Sequence, residues 1–448
     1  MNLIFPVLIL IFSLLQNSNS VAKSIITFIY IIAIVWYLIV DNKITVGSVT
    51  KIIKVNKAFL FLLVLACISV IRTNNDSYAI LPKLLNYIIL LTLLLLMTYS
   101  ITNTKQYNST KYVINFIIVP FGVLCLINFT LWVLGVSLQE DVLEGDFSQS
   151  AMLLSRLGIE MDRIQFPLTG GFNSYGSSIG GIFTITLITF FVVKKKTLFL
   201  GMMIASFFLT LLLIDTRSAL FYPIVILGLI LFLKSQNKYI PSFKYLILLL
   251  LFGPVIFSTV TFAMSNLDIF QTIARSQDDL HSGNARTIIW GMSTNEFLNF
   301  RPIHLIGFGE YGQKGSGVSS NWSYIFEGWK NSELTSPHNT SFSILFDCGY
   351  IGLITYIILH IQLISRLKYI YNHDRPIAYI YGGFVLYNLL TGITETLNGF
   401  YFFHYFVLFC LVTVSINSVY YRIYNDIERK NSQIRRPEFS LSGEEVKV

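Results

Sequence analysis

A chain that returns twelve times to an apolar run approaching membrane-crossing length has few ways to fold. The runs are Leu3–Leu15, Ser24–Val40, Ala58–Ile71, Leu84–Ser100, Tyr112–Val136, Tyr175–Val193, Leu198–Ile214, Ala219–Leu233, Phe243–Met264, Ser341–Ile364, Ile377–Thr394 and Gly399–Tyr420. In hydrocarbon every backbone N–H and C=O must be satisfied within the protein, and uncharged runs of this length do so as helices. The expectation is an all-α polytopic membrane protein with about twelve transmembrane helices. The first and third runs are short for a full crossing. Only 12% of the 448 residues are charged, about half the share of a soluble domain. No small-x-small cleavage pattern follows the first run in "LLQNSNSVAKS", which reads as an anchor.

Charge in the connections orients the chain. With the N-terminus inside, the cytoplasmic segments hold 21 of the 32 Lys and Arg but 7 of the 24 Asp and Glu. Each short cytoplasmic loop is basic, as the positive-inside rule asks. Both termini are then cytoplasmic, and the formal charge of +8 is a topology signal that calls for no nucleic acid. Residues 1–420 read as a single transmembrane domain and 421–448 as a basic cytoplasmic tail. The four cysteines, Cys67, Cys125, Cys348 and Cys410, all lie in apolar runs, where a thiol serves as a small hydrophobe. The histidines show no zinc-binding spacing.

Polar residues gather on the outer side. Two long connections face it, 137–174 and 265–340, the larger lying between the ninth and tenth spans. The second carries "GFGEYGQKGSG" and "NWSYIFEGWKNSELTSPHNT", too aromatic for disorder. It reads as a folded cap with short helices around "GNARTIIWGMSTNEFLN". A third connection is minimal: "LLLIDTRSALFYP" sets Arg217 at the membrane–water boundary. An arginine there must pair, snorkel or bind something. Asp215 offers the plain alternative of a local ion pair.

Arg217, Arg286 and Arg163 thus share one face with His338, which closes the large loop at "SPHNT". Guanidinium forks pair bidentately with phosphate oxygens and keep their charge at any pH. A neutral imidazole can take a proton from a sugar hydroxyl near neutral pH. The plain reading of Arg286 and Arg163 is a solvated loop charge. Asn339, beside the histidine, and the carboxylates Glu310 and Asp347 stand as supporting residues. Asp347 lies two turns into the following span, where pairing within the bundle is the alternative. His281 and His304 read as loop structure, His360 and His404 as bundle residues, and His373 as part of a cytoplasmic loop.

The order of these features resembles the O-antigen polymerase and O-antigen ligase superfamily. The resemblance rests on "R…GGFN" before a span, "TRSA" opening a span, "ARTIIW…PIHLIGFGEYG" in the large loop, and "PHNTSFSILFDCGYIGLITY" leaving it. It covers about Arg163 to Ile357. It implies a GT-C-like glycosyltransferase of the bacterial inner membrane that needs no metal or other cofactor. Arg217 and Arg286 would hold an undecaprenyl-pyrophosphate-linked oligosaccharide, Arg163 would assist, and His338 would act on the acceptor hydroxyl. The acceptor is a second lipid-linked repeat in a polymerase and lipid A–core in a ligase; the polymerase is favoured. A chain-length regulator and a flippase of the same lipopolysaccharide pathway are the expected partners, with membrane lipid. A flippase or transporter is the rival class. It would carry ionisable groups near the midplane, whereas this chain concentrates its polar residues on one face.

Overall fold

A computed structural model describes residues 46–73, 80–103, 108–136, 151–169, 171–193, 197–238, 247–264, 286–326, 334–397 and 403–434, with single positions at 29, 32 and 36. Among these the chain is helical, and no β-strand occurs. We number the helices α1 (Val46–Val55), α2 (Lys57–Ile71), α3 (Ile80–Asn103), α4 (Ser109–Val133), α5 (Phe172–Val192), α6 (Leu198–Ile214), α7 (Arg217–Ser235), α8 (Leu248–Met264), α9 (Arg286–Leu298), α10 (Thr340–Tyr371), α11 (Arg375–Thr394) and α12 (Phe403–Ile434). Seven helices among the described residues are long and apolar enough to cross a membrane: α3, α4, α5, α7, α10, α11 and α12. The apolar helices α2, α6 and α8 are shorter. Together these correspond to the third through twelfth apolar runs. The first two runs lie outside the described residues apart from the three single positions, as do residues 137–150, 265–285 and 327–333 of the two long connections. The seven spanning helices make a polytopic membrane protein; twelve crossings remain an expectation.

Burial ranks the helices. α5 and α11 are enclosed along nearly their whole length, while α7 is enclosed over little more than a quarter of its own. α5 achieves close contact through small residues. A Cβ at Gly180 would stand 2.7 Å from the Ala219 carbonyl of α7, so only glycine permits that approach. Tyr387 of α11 crosses the same seam and donates to the Ser177 carbonyl at 3.0 Å. The threonines of α5 are satisfied within the helix, with Thr184, Thr186 and Thr189 each donating to the carbonyl four residues back.

The tenth run reads as one uninterrupted span, but the helix it forms is broken. Gly349 has φ 68° and ψ −165°, and a Cβ there would meet the backbone of His304, Leu305 and Gly307 at 2.5 Å. The segment Arg301–Gly312 packs into the break. Phe308 N donates to the Phe346 carbonyl at 2.7 Å, and Gly312 N donates to Asp347 Oδ1 at 3.0 Å. A carbonyl released by the kink thus finds its partner in the loop, as a buried acceptor must. α12 continues as helix to Ile434, past the boundary placed at 421; residues 435–448 lie outside the described residues.

Candidate active site

Arg217, Arg286 and His338 fall at or just before the starts of α7, α9 and α10, and Arg163 lies in the connection before α5. α6 ends at Ile214, and Asp215 follows in a left-handed conformation with φ 54°. That turn reverses the chain so tightly that Arg217 already opens α7. Its Nε lies 3.9 Å from Asp215 Oδ1, and the arginine side chain is about a quarter exposed whereas the aspartate is fully buried. Arg163 reaches the same junction. Its Nε donates to the Ile214 carbonyl at 2.8 Å, and its guanidinium lies 4.4 Å from the centre of the Phe172 ring. A cation at a helix C-terminus is favourable in itself, so Arg163 also secures the turn that presents Arg217.

Arg286 opens α9 and His338 precedes α10. Between them stands a carboxylate missed in the sequence, Glu395, the residue capping α11. Arg286 Nη2 donates to Glu395 Oε1 at 2.8 Å, and His338 Nδ1 lies 3.8 Å from Glu395 Oε2. Burial alone would push the Glu395 carboxyl up. The Arg286 guanidinium and the His338 ring outweigh it and hold the group below the ordinary glutamate range. Glu395 is therefore ionised at neutral pH. Three polar atoms here are buried without a hydrogen-bond partner among the described residues: Arg286 Nε, His338 Nδ1 and Glu395 Oε2. Native interiors leave few such atoms, and each calls for a reason.

The loop bearing the histidine is clamped. His338 itself is left-handed, with φ 47°, a conformation that costs a non-glycine residue and recurs at functional sites. Asn339 caps α10 by accepting from Phe342 N at 2.9 Å and donates to the Gly392 and Ile393 carbonyls at 3.3 and 2.9 Å. Thr340 Oγ1 donates to the Glu395 carbonyl at 2.9 Å and accepts from Leu397 N at 3.1 Å. Trp290 Nε1 donates to the Pro337 carbonyl at 3.0 Å, tying α9 to the same loop. The "HN" pair therefore divides its work: the asparagine fixes the geometry and the histidine faces the carboxylate. Tyr222 lies within electrostatic reach of both Arg286 and Glu395; Arg217 stands five residues before it on α7, about 7.5 Å along the axis.

Glu310 and Asp347 form a different assembly. They line a small cavity with Ser69, Tyr87, Cys348 and Phe406. Glu310 pairs with Lys83 at 3.5 Å. Burial, then the Glu310 and Asp347 carboxylates, push the Tyr311 phenol up. Asp347 lies seven residues beyond Thr340, about 10.5 Å along the helix. The structure thus brings these two carboxylates to each other and to the docked loop, not to His338. His304 is a loop clamp: its Nε2 lies 3.1 Å from Glu296 Oε1, and its Nδ1 accepts from Arg301 N at 3.2 Å. His281 and the side chain of His404 lie outside the described residues. No group of three His, Cys, Asp or Glu side chains able to hold a metal ion occurs among the described residues.

Chemically, the cluster offers a fixed positive edge and an imidazole backed by an ionised carboxylate. A family model described as O-antigen ligase matches residues 200–357, from α6 into α10, and so spans Arg217, Arg286 and His338 but neither Arg163 nor Glu395. No curated protein matches the chain. The matched segment, about a third of the chain, carries Arg217, Arg286 and His338 and supports kinship with the O-antigen polymerase and ligase superfamily.

Proposed function

We propose that the protein polymerises lipid-linked oligosaccharide repeats at the outer face of the bacterial cytoplasmic membrane. The observation that carries this reading is the convergence of Arg286 and His338 on the buried Glu395 carboxylate, with Arg286 Nε left without a hydrogen-bond partner among the described residues. A pyrophosphate oxygen supplies the acceptor that Arg286 Nε lacks. The His338 ring turns Nδ1 towards Glu395 Oε2, which leaves Nε2 to accept from an acceptor hydroxyl.

In this scheme Arg217 and Arg286 hold the pyrophosphate of an undecaprenyl-linked donor, and Arg163 supports the Arg217 turn. The hydroxyl of a second lipid-linked repeat attacks C1 of the donor glycan. Its proton passes to His338, and the C1–O bond electrons leave with undecaprenyl pyrophosphate. The guanidinium groups neutralise the charge gathering on that leaving group, a task a metal ion performs in other phosphate chemistry. Glu395 stabilises the imidazolium as it forms, in the manner of a carboxylate behind a catalytic histidine. A single displacement inverts the configuration at C1. Twelve crossings, a GT-C-like bundle and cytoplasmic termini belong to the same reading, supported by the basic short loops.

The test is a gel of surface glycans from a strain lacking this gene, complemented with wild type or His338→Ala. Loss of the ladder to core plus a single repeat, unrescued by the variant, is the expected result. Polymer accumulating on the lipid carrier with none on the core would instead make the chain a ligase acting on lipid A–core. Full rescue by the variant overturns the site.

A further inference from the structure

Arg366 lies far along α10 from His338. The apolar run of that helix ends at Ile364, with Ser365 and Arg366 directly after it. Counted from Thr340 at 1.5 Å per residue, Arg366 stands up to about 39 Å along the helix, less what the break at Gly349 takes up. The hydrocarbon is about 30 Å thick and the headgroup zones extend the bilayer to about 40–45 Å. With the start of α10 at one boundary, Arg366 falls at the headgroups of the opposite leaflet.

The guanidinium is half-buried and has no carboxylate partner among the described residues. Its Nη1 donates to the Val55 carbonyl at 3.0 Å and to Asn417 Oδ1, and its plane lies 5.3 Å from the Tyr420 ring centre. Both bonds use one nitrogen, so among the described residues the Nε–Nη2 edge of the fork carries none. Asn417 is no counter-ion; its amide continues into Asn56 at 2.8 Å. A groove of about 330 Å³ opens beside the arginine, lined by Gln362, Ser365, Arg366, Tyr369 and Tyr420. Gln362 Oε1 is a buried acceptor without a donor among the described residues. The groove therefore presents an unused bidentate cation edge, an acceptor awaiting a hydroxyl, and two phenol walls.

We propose that this groove binds the headgroup of an anionic phospholipid, a phosphate diester on Arg366 whose glycerol hydroxyl reaches Gln362. A half-buried charge without a counter-ion is costly, and an anion offsets that cost. Basic pockets between transmembrane helices at headgroup depth recognise such lipids, and tyrosines favour the same depth. Positive-inside orientation makes this the cytoplasmic leaflet. The site stands apart from the transfer reaction and requires only that α10 and α12 cross the membrane.

Native mass spectrometry of the purified full chain tests it, with phosphatidylglycerol and phosphatidylcholine of matched acyl chains titrated in parallel. Wild type should retain phosphatidylglycerol about fivefold better. Arg366→Gln should abolish the preference. That variant also loses the Val55 and Asn417 bonds, so Ser365→Glu is the deciding one: it leaves those bonds and sets a carboxylate in the groove. Ser365→Glu binding both lipids alike supports the site. An undiminished preference in that variant, or equal binding of the two lipids by wild type, overturns it. Displacement of phosphatidylglycerol by millimolar inorganic phosphate would overturn the lipid assignment in favour of a free anion.

Discussion

Asn388 and Glu395 stand two turns apart on α11, about 10.5 Å, and each gathers a buried polar cluster with a histidine from α10 or its approach. Around Asn388 every group is paired. Its Nδ2 donates to Tyr356 Oη at 3.0 Å and lies 3.1 Å from His360 Nε2; its Oδ1 accepts from Tyr405 Oη at 3.0 Å; His360 Nδ1 lies 2.9 Å from the Tyr356 carbonyl. Around Glu395, Arg286 Nε and His338 Nδ1 have no hydrogen bond among the described residues, and the histidine is held left-handed. A completed network specifies packing. An incomplete one, kept rigid by Asn339 and Thr340 from outside, is what the proposed transfer reaction would use.

The two clusters should therefore fail in different ways. The largest contrast is expected between their histidines. His338→Asn, which tolerates the left-handed backbone, should lower transfer by on the order of 10²–10⁴-fold with normal membrane insertion. His360→Phe should leave turnover per folded molecule intact while lowering the unfolding midpoint. Equal activity loss in both would erase the distinction. Arg286→Lys and Arg217→Lys come next, at roughly 10–100-fold in glycan transfer, because an ammonium cannot reproduce the fork. An equal loss in Arg301→Lys, whose side chain pairs with Glu296, would show the effect to be unspecific. Glu395→Gln sharpens the comparison further. The amide keeps the shape but not the charge, so turnover should fall about tenfold with donor affinity changed less. The smallest effect is on pH. Because the folded carboxyl is held below its ordinary range, its stabilisation is complete above that range and fades as acid carries the pH down towards the lowered value. Unfolding of Glu395→Gln should lack that portion of the acid sensitivity.

Much of the site was legible because short-range rules place it. Two apolar runs pressing on "DTRS" leave Arg217 nowhere but a boundary, and the "SPHNT" segment announces a cap before α10. Glu395 was not legible. It lies 57 positions beyond His338, and its meeting with Arg286 and His338 depends on three separate segments converging. The argument applied to Arg217, an ionisable group at the edge of an apolar run, fits it equally well. Glu310 and Asp347 were legible only as supporting residues, with pairing in the bundle open for Asp347; the fold gives them Lys83 and the Gly312 amide. The break at Gly349 was hidden for a related reason. "GYIG" alone does not show that a distant backbone segment occupies the kink.

That break bears on biogenesis. The Phe346 carbonyl accepts from Phe308, a residue made well before α10. Chains emerge N-terminus first, so the partner is already synthesised when the kinked helix arrives at the bilayer. A α10 delivered without its cap would present an unpaired carbonyl beside the lipid. Halves of this protein expressed on either side of residue 330 should therefore insert together or poorly, with the order of synthesis deciding the yield.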